Sequence, residues 1–446
     1  MRTRALLVVL LGTGCGGKDI DSAVEAALPD LPTASCTDRY DWRPLDGMGR
    51  VVAWEEAEEY ALDVSQVQAL MGIAGASDTS EARHGVRVFR VRYTTQDRGE
   101  DTEATGLIAV PDAPGTAVDS VLYLHPTTGL EDFCAPSGRD LVWAGVPIVL
   151  ASMGYAVAAP DYLGQNGLGD EAEDLHPYLV AEPTAVASLD ALRAMWSFED
   201  GAGDGVLGVS PSTSTVLLGA SQGGGAAFWS ERYAAEYLPE AELLGTISSV
   251  PLMDLLTWAE LGAESLSVGS VGVPFALRAM EQWYGADAAL SAVVADGQES
   301  VLDDAIANTC PSAELPDDIV SLDQVYSADW LATVDASSLD AWQPWSCMLA
   351  ESSPQTAAVG RGAEVPAFVV LGGADEVALT AQSRATVDAL CADGHPVVAI
   401  ECAGLGHEDT VVATLDLTLD TLRTLADGGV LDGEVCGEIP VVDCGG

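Results

Sequence analysis

The spacing of apolar residues changes between two periods along the chain. Residues 55–72 repeat apolar positions at helical spacing, whereas residues 86–93 alternate apolar and polar side chains as a strand does. A second strand is predicted over residues 104–110 and a helix over residues 183–196. Six further apolar runs are typical of strands: 120–125, 155–160, 213–219, 243–250, 367–371 and 397–401. Strands that alternate with helices predict an α/β fold with a mostly parallel, doubly wound sheet.

The alternation of strands and helices stops between residues 251 and 360, where the sequence is helical and loop-like. Arg278 is the only basic residue of this stretch. The stretch carries five tryptophans and is interpreted as a helical cap (lid) inserted into the sheet domain. Within it, residues 265–280 either line an apolar substrate pocket, with Val273 and Phe275 in contact with substrate, or form the cap's own core.

The pattern divides the chain into six parts. These are a lipoprotein-type signal peptide (1–14), a tether and N-terminal segment (15–50), the first part of the core (51–250), the cap (251–360), the second part of the core (361–430) and a cysteine-containing tail (431–446).

The first 15 residues resemble an export signal. Arg2 and Arg4 precede an apolar run over residues 5–11, and small residues lead to Cys15. The run is too short to span a membrane. The segment before Cys15 resembles a bacterial lipoprotein cleavage box, although Gly12 stands where leucine is usual. We expect cleavage before Cys15, lipid attachment there, and a protein that is extracellular or held on the cell envelope, as at an outer membrane, by that lipid only.

Composition excludes one class of partner. The net charge is −51, from 69 acidic residues against 18 lysines and arginines, and Lys18 is the only lysine. Such a surface repels phosphate backbones, so no nucleic acid is expected as a partner. The low arginine content beside the low lysine content favours a saline habitat over a compositional bias of the genome.

Nine cysteines less Cys15 leave eight, which suggests four disulfides in an exported chain. Connectivity cannot be deduced from spacing, but two pairings would close short loops. These are Cys391 with Cys402 and Cys436 with Cys444.

The segment Gly219-Ala220-Ser221-Gln222-Gly223 links an apolar strand to a helical pattern. A nucleophile elbow needs this strand–turn–helix context and near-absent side chains around a serine in strained conformation. Ser221 is therefore the candidate nucleophile. The alternative is a plain glycine turn between a strand and a helix.

A serine nucleophile needs a histidine base, which in turn needs a carboxylate. In an open α/β sheet the site lies beyond the carboxyl ends of the strands, in the chain order nucleophile, acid, base. His407 follows the strand at 397–401, and Asp375 follows the strand at 367–371. Glu376 is the fallback acid, and a helix N-cap is the alternative role for Asp375.

The tetrahedral oxyanion of acyl transfer needs preorganised N–H donors. One is expected from the backbone of Gln222, at a helix N-terminus. The other is expected from Thr127 or Thr128, after the strand that ends at His125, because Pro126 has no N–H. His125 comes before the serine, so we expect it to be a substrate-binding residue and not the base.

Six segments together carry a family resemblance: HPTTGLEDFCAPS, GYAVAAPDYLG, HPYLVAEPTAVASLDALRA, GASQGGGA, GGADEVA and GLGH. In this order and spacing they resemble the secretory lipases, a family of α/β hydrolases. The resemblance implies a triad of Ser221, Asp375 and His407, an oxyanion loop at HPTTG, a helical lid, and hydrolysis of carboxylic esters including acylglycerols. Two positions depart from the family pattern: Pro126 replaces a glycine and Ala220 replaces a histidine.

The sequence leaves other functions open. The same triad on the same fold serves a serine peptidase or amidase, and a catalytically dead scaffold could serve as a surface binding lipoprotein. No metal or organic cofactor is expected, since the cysteines and histidines show no ligand spacing and the triad chemistry needs none.

Overall fold

The computed structural model describes residue 36 and residues 42–170, 172, 174–198, 205–285, 289–310, 315–335, 337–338, 342–356 and 365–445. The predicted signal peptide, the lipidation site Cys15 and most of the tether lie outside these residues.

The described residues form ten strands that belong to one sheet. In chain order they are β1 (Val51–Glu56), β2 (Val86–Asp97), β3 (Glu100–Pro111), β4 (Ala117–Leu124), β5 (Ala156–Pro160), β6 (Ser210–Ala220), β7 (Glu242–Ser249), β8 (Ala367–Gly372), β9 (Val397–Cys402) and β10 (Val441–Val442). Their order across the sheet is β1-β2-β3-β5-β4-β6-β7-β8-β9-β10.

The sheet is antiparallel from β1 to β5 and parallel from β5 to β10. Strand β4 lies between β5 and β6, so the chain leaves β4 first toward one edge of the sheet and then toward the other. Ligands of open α/β sheets bind at such a switch point, beyond the carboxyl ends of the strands. The residues that follow β4 and β6 therefore meet at the expected place for a site.

The strands predicted from apolar runs are confirmed, whereas the helix predicted over residues 55–72 is partly wrong. Its first residues belong to β1, and the helix begins only at Val64. Asp63 stops it from beginning earlier, because its side chain accepts the backbone N–H of Gln66 in a capping box. The apolar spacing runs on through both elements and does not show this boundary.

Twelve α-helices lie in the described residues. They are α1 (Val64–Ala74), α2 (Leu141–Met153), α3 (Ala181–Trp196), α4 (Gln222–Tyr237), α5 (Leu255–Glu264), α6 (Val268–Tyr284), α7 (Gln298–Asn308), α8 (Ala328–Thr333), α9 (Trp345–Glu351), α10 (Thr380–Ala392), α11 (His407–Ala413) and α12 (Leu415–Ala426).

Helices cover both faces of the sheet. Residues of α1, α2 and α12 form one apolar cluster with the sheet. Residues of α3 and α4 form a second cluster with it, and α10 packs with Phe228 of α4 in a third. Val88 of β2 belongs to the first of these clusters and its neighbour Phe89 belongs to the second. Successive side chains of a strand point to opposite faces of the sheet, so the two clusters lie on opposite faces.

Helices α5 to α9 lie between β7 and β8 in the chain and share an apolar core of their own. Val273 is fully buried in that core, and Phe275 packs against it. This packing favours the second of the two interpretations of residues 265–280. Contact of Val273 and Phe275 with substrate stays a prediction.

Four disulfides join the eight described cysteines. The bonds are Cys36–Cys347, Cys134–Cys310, Cys391–Cys436 and Cys402–Cys444. Cys134 lies in the loop after β4 and Cys310 lies beyond α7, so one bond attaches that loop to the cap helices.

Both short-loop pairings predicted from the sequence are wrong. Strand β9 separates Cys391 from Cys402, and six extended residues span about 20 Å, far more than the Cα separation a disulfide allows. Strand β10 runs parallel to β9 and pairs Val442 with Cys402, which brings Cys444 to Cys402. At the amino end of β9, the N–H of Cys436 donates to the carbonyl of Val397, and Cys436 forms its disulfide there with Cys391.

None of the helices in the described part of the chain has both the length and the apolar composition needed to cross a membrane.

Candidate active site

Ser221 lies at the turn between β6 and α4 with φ +55° and ψ −120°. This conformation is strained for a residue with a side chain, and the surrounding backbone maintains it. A Cβ on Gly219 would collide with the carbonyl of Gly223, and one on Gly223 would collide with the carbonyl of Leu124 at the end of β4. The glycines of the motif thus allow the elbow to sit against the neighbouring strand.

Three side chains meet at this elbow. Nε2 of His407 lies 2.8 Å from Oγ of Ser221. Nδ1 of the same ring lies 2.9 Å from both carboxylate oxygens of Asp375. Because Nδ1 faces a carboxylate, it carries the proton and donates it, which leaves Nε2 free to accept the serine O–H. The ring is therefore oriented as a base toward Ser221.

Backbone groups hold Asp375 and His407 in place. Oδ1 of Asp375 accepts the N–H groups of Val377, at 2.9 Å, and Ala378, at 2.8 Å. It is not the N-cap of α10, which is Leu379. Glu376, the fallback acid, accepts the backbone N–H of His407 at 3.2 Å. The side chain of Asp375, not that of Glu376, contacts the imidazole.

The two predicted threonine donors have different surroundings. The hydroxyl of Thr127 lies 3.0 Å from the hydroxyl of Tyr178. Thr128 is buried, and its hydroxyl contacts the carboxamide of Gln165, whose Nε2 donates to Gly129 at 2.6 Å. Side-chain contacts therefore hold Thr128 in place within the loop after β4, whereas Thr127 is half-buried. The role of their N–H groups, like that of Gln222, stays a prediction.

His125 is buried under the same loop. Its Nδ1 donates to the carbonyl of Pro126 over 2.7 Å, and its ring packs against Tyr162, whose hydroxyl donates back to the carbonyl of His125. Burial lowers the pKa of His125 to about 4, so the ring is neutral near pH 7. These contacts give His125 a place in the wall of the site, and its contact with substrate stays a prediction.

Sequence reasoning missed a buried carboxyl that joins three segments. Asp161, directly after β5, accepts the backbone N–H of Ser137 at 2.8 Å and also its hydroxyl. It accepts the hydroxyl of Thr105 on β3 at 2.6 Å. Burial raises the pKa of Asp161 to about 6. The position after a buried strand was a usable signal, since it is the same signal that identified Asp375.

His176 lies in a long loop to which the sequence pattern assigns no role, yet it reaches the elbow. Its Nε2 lies 2.9 Å from Nε2 of Gln222, and its Nδ1 lies 2.9 Å from the carbonyl of Leu163. The ring stacks on Tyr162. Burial lowers the pKa of His176 to about 3. Nothing in the local sequence points to this contact, because 46 residues separate the partners.

Within the described residues no three His, Cys, Asp or Glu side chains group as metal ligands would.

Comparisons with known proteins identify the family of the chain. The family model described as secretory lipase matches residues 146–420. A Mycobacterium tuberculosis protein named "probable inactive lipase" is 28% identical over 167 residues, which cover 35% of this chain and 34% of that protein. The match thus spans only about a third of the relative's length.

Two solved structures have similar folds. The rice cell wall degrading esterase of Xanthomonas oryzae has a TM-score of 0.67 at 19% identity, over 86% of this chain and 99% of that chain. Candida antarctica lipase A in its closed state has a TM-score of 0.63 at 18% identity, over 94% of this chain and 91% of that chain. At such identities the likeness establishes the fold alone.

Proposed function

The chain belongs to the secretory lipase family of α/β hydrolases, and from this membership we propose that it is a serine carboxylester hydrolase acting through Ser221, His407 and Asp375. The observation that carries the proposal is the continuous set of contacts from the serine hydroxyl through the imidazole to the carboxylate. The substrate is an ester of a carboxylic acid, with acylglycerols as the form that the family name suggests.

Acylation begins when Nε2 of His407 takes the proton of Ser221 and Oγ attacks the ester carbonyl carbon. The tetrahedral oxyanion accepts hydrogen bonds from the backbone N–H of Gln222 and from that of Thr127 or Thr128. The carbon–oxygen bond to the alcohol then breaks, and the imidazolium gives its proton to the departing alcohol. Asp375 stabilises the imidazolium while it exists.

Deacylation repeats these steps with water. His407 takes a proton from a water molecule, whose oxygen attacks the acyl carbon of the acyl-enzyme. The bond to Oγ of Ser221 breaks, the imidazolium returns the proton to Oγ, and the carboxylic acid leaves. Every proton transfer in this cycle uses one ring nitrogen, and the mechanism needs no metal or organic cofactor.

Two other functions remain in competition. An amidase would use the same three side chains, and the family membership favours esters over amides. A binding protein on a dead scaffold is suggested by the relative named as inactive, but that relative matches only over a third of its own length. The 2.8 Å contact between Ser221 and His407 favours an active enzyme.

Export and anchoring are part of the proposal. The family is described as secretory, and four disulfides suit an oxidising compartment. We expect the lipid on Cys15 to be the membrane anchor. Mass analysis of the N-terminal peptide, with Cys15→Ala as the control, should find an acylated cysteine at the new N-terminus only in the wild-type protein. An intact Met1 or an unmodified Cys15 in the wild type would contradict this.

The hydrolase proposal is tested with p-nitrophenyl butyrate and a matched p-nitroanilide. The wild type should hydrolyse the ester and leave the anilide nearly unchanged. Ser221→Ala should lower ester turnover at least about a thousandfold without unfolding the chain. Ser230→Ala, which alters a buried serine on the same helix, is the matched control and should retain activity. Preferred anilide hydrolysis would indicate an amidase, and an active Ser221→Ala variant would overturn the assignment.

A further inference from the structure

One short loop contacts both segments that are expected to supply oxyanion donors. Nε2 of His176 lies 2.9 Å from the side-chain amide of Gln222, the first residue of α4. The hydroxyl of Tyr178, two positions after His176, lies 3.0 Å from the hydroxyl of Thr127 in the loop after β4. We call residues 175–180 the bridging loop, because they connect the nucleophile elbow with the loop after β4.

The bridging loop has a fixed conformation of its own. The N–H of His176 donates to the carbonyl of Leu130 over 3.1 Å, and the N–H of Val180 donates to the carbonyl of Pro177 over 3.0 Å. Leu179 has φ +60°, a left-handed conformation that is strained for a residue with a side chain. Such strain persists only where the surrounding structure imposes it, and it clusters at functional sites. The bridging loop can therefore serve as a support for its neighbours.

The hydroxyl of Tyr178 is buried where it meets Thr127. Tyr178 is 7% exposed and belongs to the apolar core of the cap, together with Leu130 and Val180. Burial raises the pKa of Tyr178, so its hydroxyl keeps its proton. A buried hydroxyl needs a hydrogen-bond partner, and the hydroxyl of Thr127 provides it. Water competes little for the Tyr178 end of this contact, which favours a persistent hydrogen bond.

A restraint on the side chain of Thr127 orients both candidate donors of the loop after β4. The planar peptide groups on either side of its Cα carry the N–H of Thr127 and the N–H of Thr128. A hydrogen bond at Oγ1 of Thr127 restrains that Cα, and the restraint applies whichever threonine is the donor. In the same way, the bond from Gln222 to His176 restrains the residue whose N–H is the other expected donor.

We propose that His176 and Tyr178 are positioning residues that fix the distance between the two halves of the oxyanion hole, the set of N–H groups that receives the tetrahedral oxyanion. Both act through Gln222 and Thr127 and not on the reacting atoms. This inference rests on the proposed function, because the oxyanion forms only when Ser221 attacks an ester carbonyl. Oxyanion donors act at about 2.7–3.1 Å, so a small displacement weakens binding of the transition state and leaves binding of the ester almost unaffected.

The contact between Tyr178 and Thr127 is tested from both ends. Tyr178→Phe removes only the phenolic hydroxyl, and Thr127→Val removes its partner while keeping the branched shape. Thr127→Ser retains a hydroxyl and is the rescue variant. Tyr93→Phe is the matched control, because it also removes a buried hydroxyl, which donates to the carbonyl of Ala187 over 2.9 Å between β2 and α3.

Tyr178→Phe should lower kcat for p-nitrophenyl butyrate about tenfold, a part of the roughly 100- to 1000-fold that loss of an oxyanion donor costs, with KM within about twofold of wild type. Thr127→Val should show the same loss, and Thr127→Ser should recover most of it. The double variant Tyr178→Phe/Thr127→Val should be no slower than either single variant, because all three lack the same contact. Tyr93→Phe should keep the wild-type kcat.

A trifluoromethyl ketone inhibitor separates positioning from packing. It forms a tetrahedral adduct with an active-site serine and places an oxyanion where the transition state has one. Its inhibition constant should rise about tenfold in Tyr178→Phe and Thr127→Val and stay unchanged in Tyr93→Phe. Urea unfolding should find similar losses of stability in Tyr178→Phe and Tyr93→Phe, since each lacks one buried hydrogen bond.

The other half of the oxyanion hole is tested through His176. His176→Leu leaves the amide of Gln222 without its acceptor and should lower kcat about tenfold, again with little change in KM. His176→Gln should recover part of that loss. An unchanged kcat in His176→Leu would overturn the positioning role of His176.

The role of Tyr178 is overturned if Tyr178→Phe and Thr127→Val keep the wild-type kcat and inhibitor affinity while fluorophosphonate still labels Ser221, and the proposed function would then stand. A loss confined to KM, or an equal loss of kcat in Tyr93→Phe, would overturn it in the same way. If Tyr178→Phe does not fold, the comparison of Thr127→Val with Thr127→Ser decides alone. A wild-type chain that hydrolyses no ester and takes no fluorophosphonate would overturn the proposed function, and both positioning roles would fall with it.

Discussion

The side-chain amide of Gln222 donates a hydrogen bond to Nε2 of His176 across 2.9 Å. The direction follows from the other ring nitrogen, because Nδ1 of His176 faces the carbonyl of Leu163 and must carry the single proton of the neutral ring. The residue next to the proposed nucleophile is thus held by the loop that follows β5.

Removal of the imidazole should therefore destabilise the elbow. His176→Leu leaves the buried amide of Gln222 without an acceptor, which costs about 1–3 kcal/mol in the free energy of unfolding. His176→Gln keeps an acceptor near the position of Nε2 and should recover part of that loss. Urea unfolding measures both variants, with His84→Leu at a half-buried histidine as the control. Equal stability of His176→Leu and wild type would show that the contact contributes nothing.

Stability should depend on pH through buried groups that act in opposite directions. The lowered pKa values of His125 (about 4) and His176 (about 3) keep both rings neutral in the folded chain. Below the histidine pKa of about 6.5 in the unfolded chain, both imidazoles bind protons in the unfolded state but not in the folded state. The free energy of unfolding therefore decreases as pH falls toward 4. Asp190 is a buried carboxyl of α3. Burial raises the pKa values of Asp161 and Asp190 to about 6, so both bind protons first in the folded state and offset part of that loss of stability.

Single variants separate the two directions. Between pH 7 and about 4.5 the stability of His176→Gln should fall less than that of wild type, by on the order of 2 kcal/mol. The stability of Asp161→Asn should fall more than that of wild type over the same interval, because this variant lacks the compensating proton uptake in its folded state. Urea unfolding at both pH values gives the comparison. Parallel losses in all three proteins would mean that these groups do not titrate as described.

The bond between Cys134 and Cys310 should contribute more to stability than the bond between Cys391 and Cys436. The first closes a loop of sequence separation 176 and the second one of 45, and loop-closure entropy grows with loop length. Replacing either pair by serine should cost about 2–5 kcal/mol, with the larger loss for the first pair.

Only the loss of the bond between Cys134 and Cys310 should also lower ester turnover, because this bond attaches the loop bearing Thr127 to the cap. Urea midpoints and p-nitrophenyl butyrate turnover of the two double variants test this. Full activity without the first bond would show that the loop keeps its position unaided.

High salt should stabilise the chain. A net charge of −51 destabilises the compact state through self-repulsion, and salt screens that repulsion over a Debye length that shrinks from about 10 Å at 0.1 M to about 3 Å at 1 M. The thermal midpoint should rise on moving from low salt to about 1 M NaCl. A fall in the midpoint would imply that attractive ion pairs, such as those of Arg278 with Glu281 and Asp303, outweigh the repulsion.

The sequence predicted the parts of the fold that depend on local pattern. Buried strands, the strained turn at Ser221 and the positions of Asp375 and His407 after strands all follow from neighbouring residues and from the rule that sites lie at carboxyl strand ends. The three side chains were expected to meet, and the structure brings them together.

What could not be predicted depends on contacts between distant segments. The pairing of Cys402 with Cys444 requires knowing that β10 lies beside β9. The bond from Gln222 to His176 and the network of Asp161 require the spatial arrangement of loops that carry no periodic signal. The start of α1 depends on the capping box of Asp63, which the apolar spacing of residues 55–72 does not reveal.

The central claim is that Ser221 is a nucleophile activated by His407. It is tested most directly by treating the folded protein with a fluorophosphonate and locating the adduct by peptide mass spectrometry. We predict a single adduct, on the peptide containing Ser221, that is absent from Ser221→Ala, strongly reduced in His407→Ala and unchanged in Ser230→Ala. An unlabelled wild-type protein, or an adduct that persists in Ser221→Ala, would contradict the account.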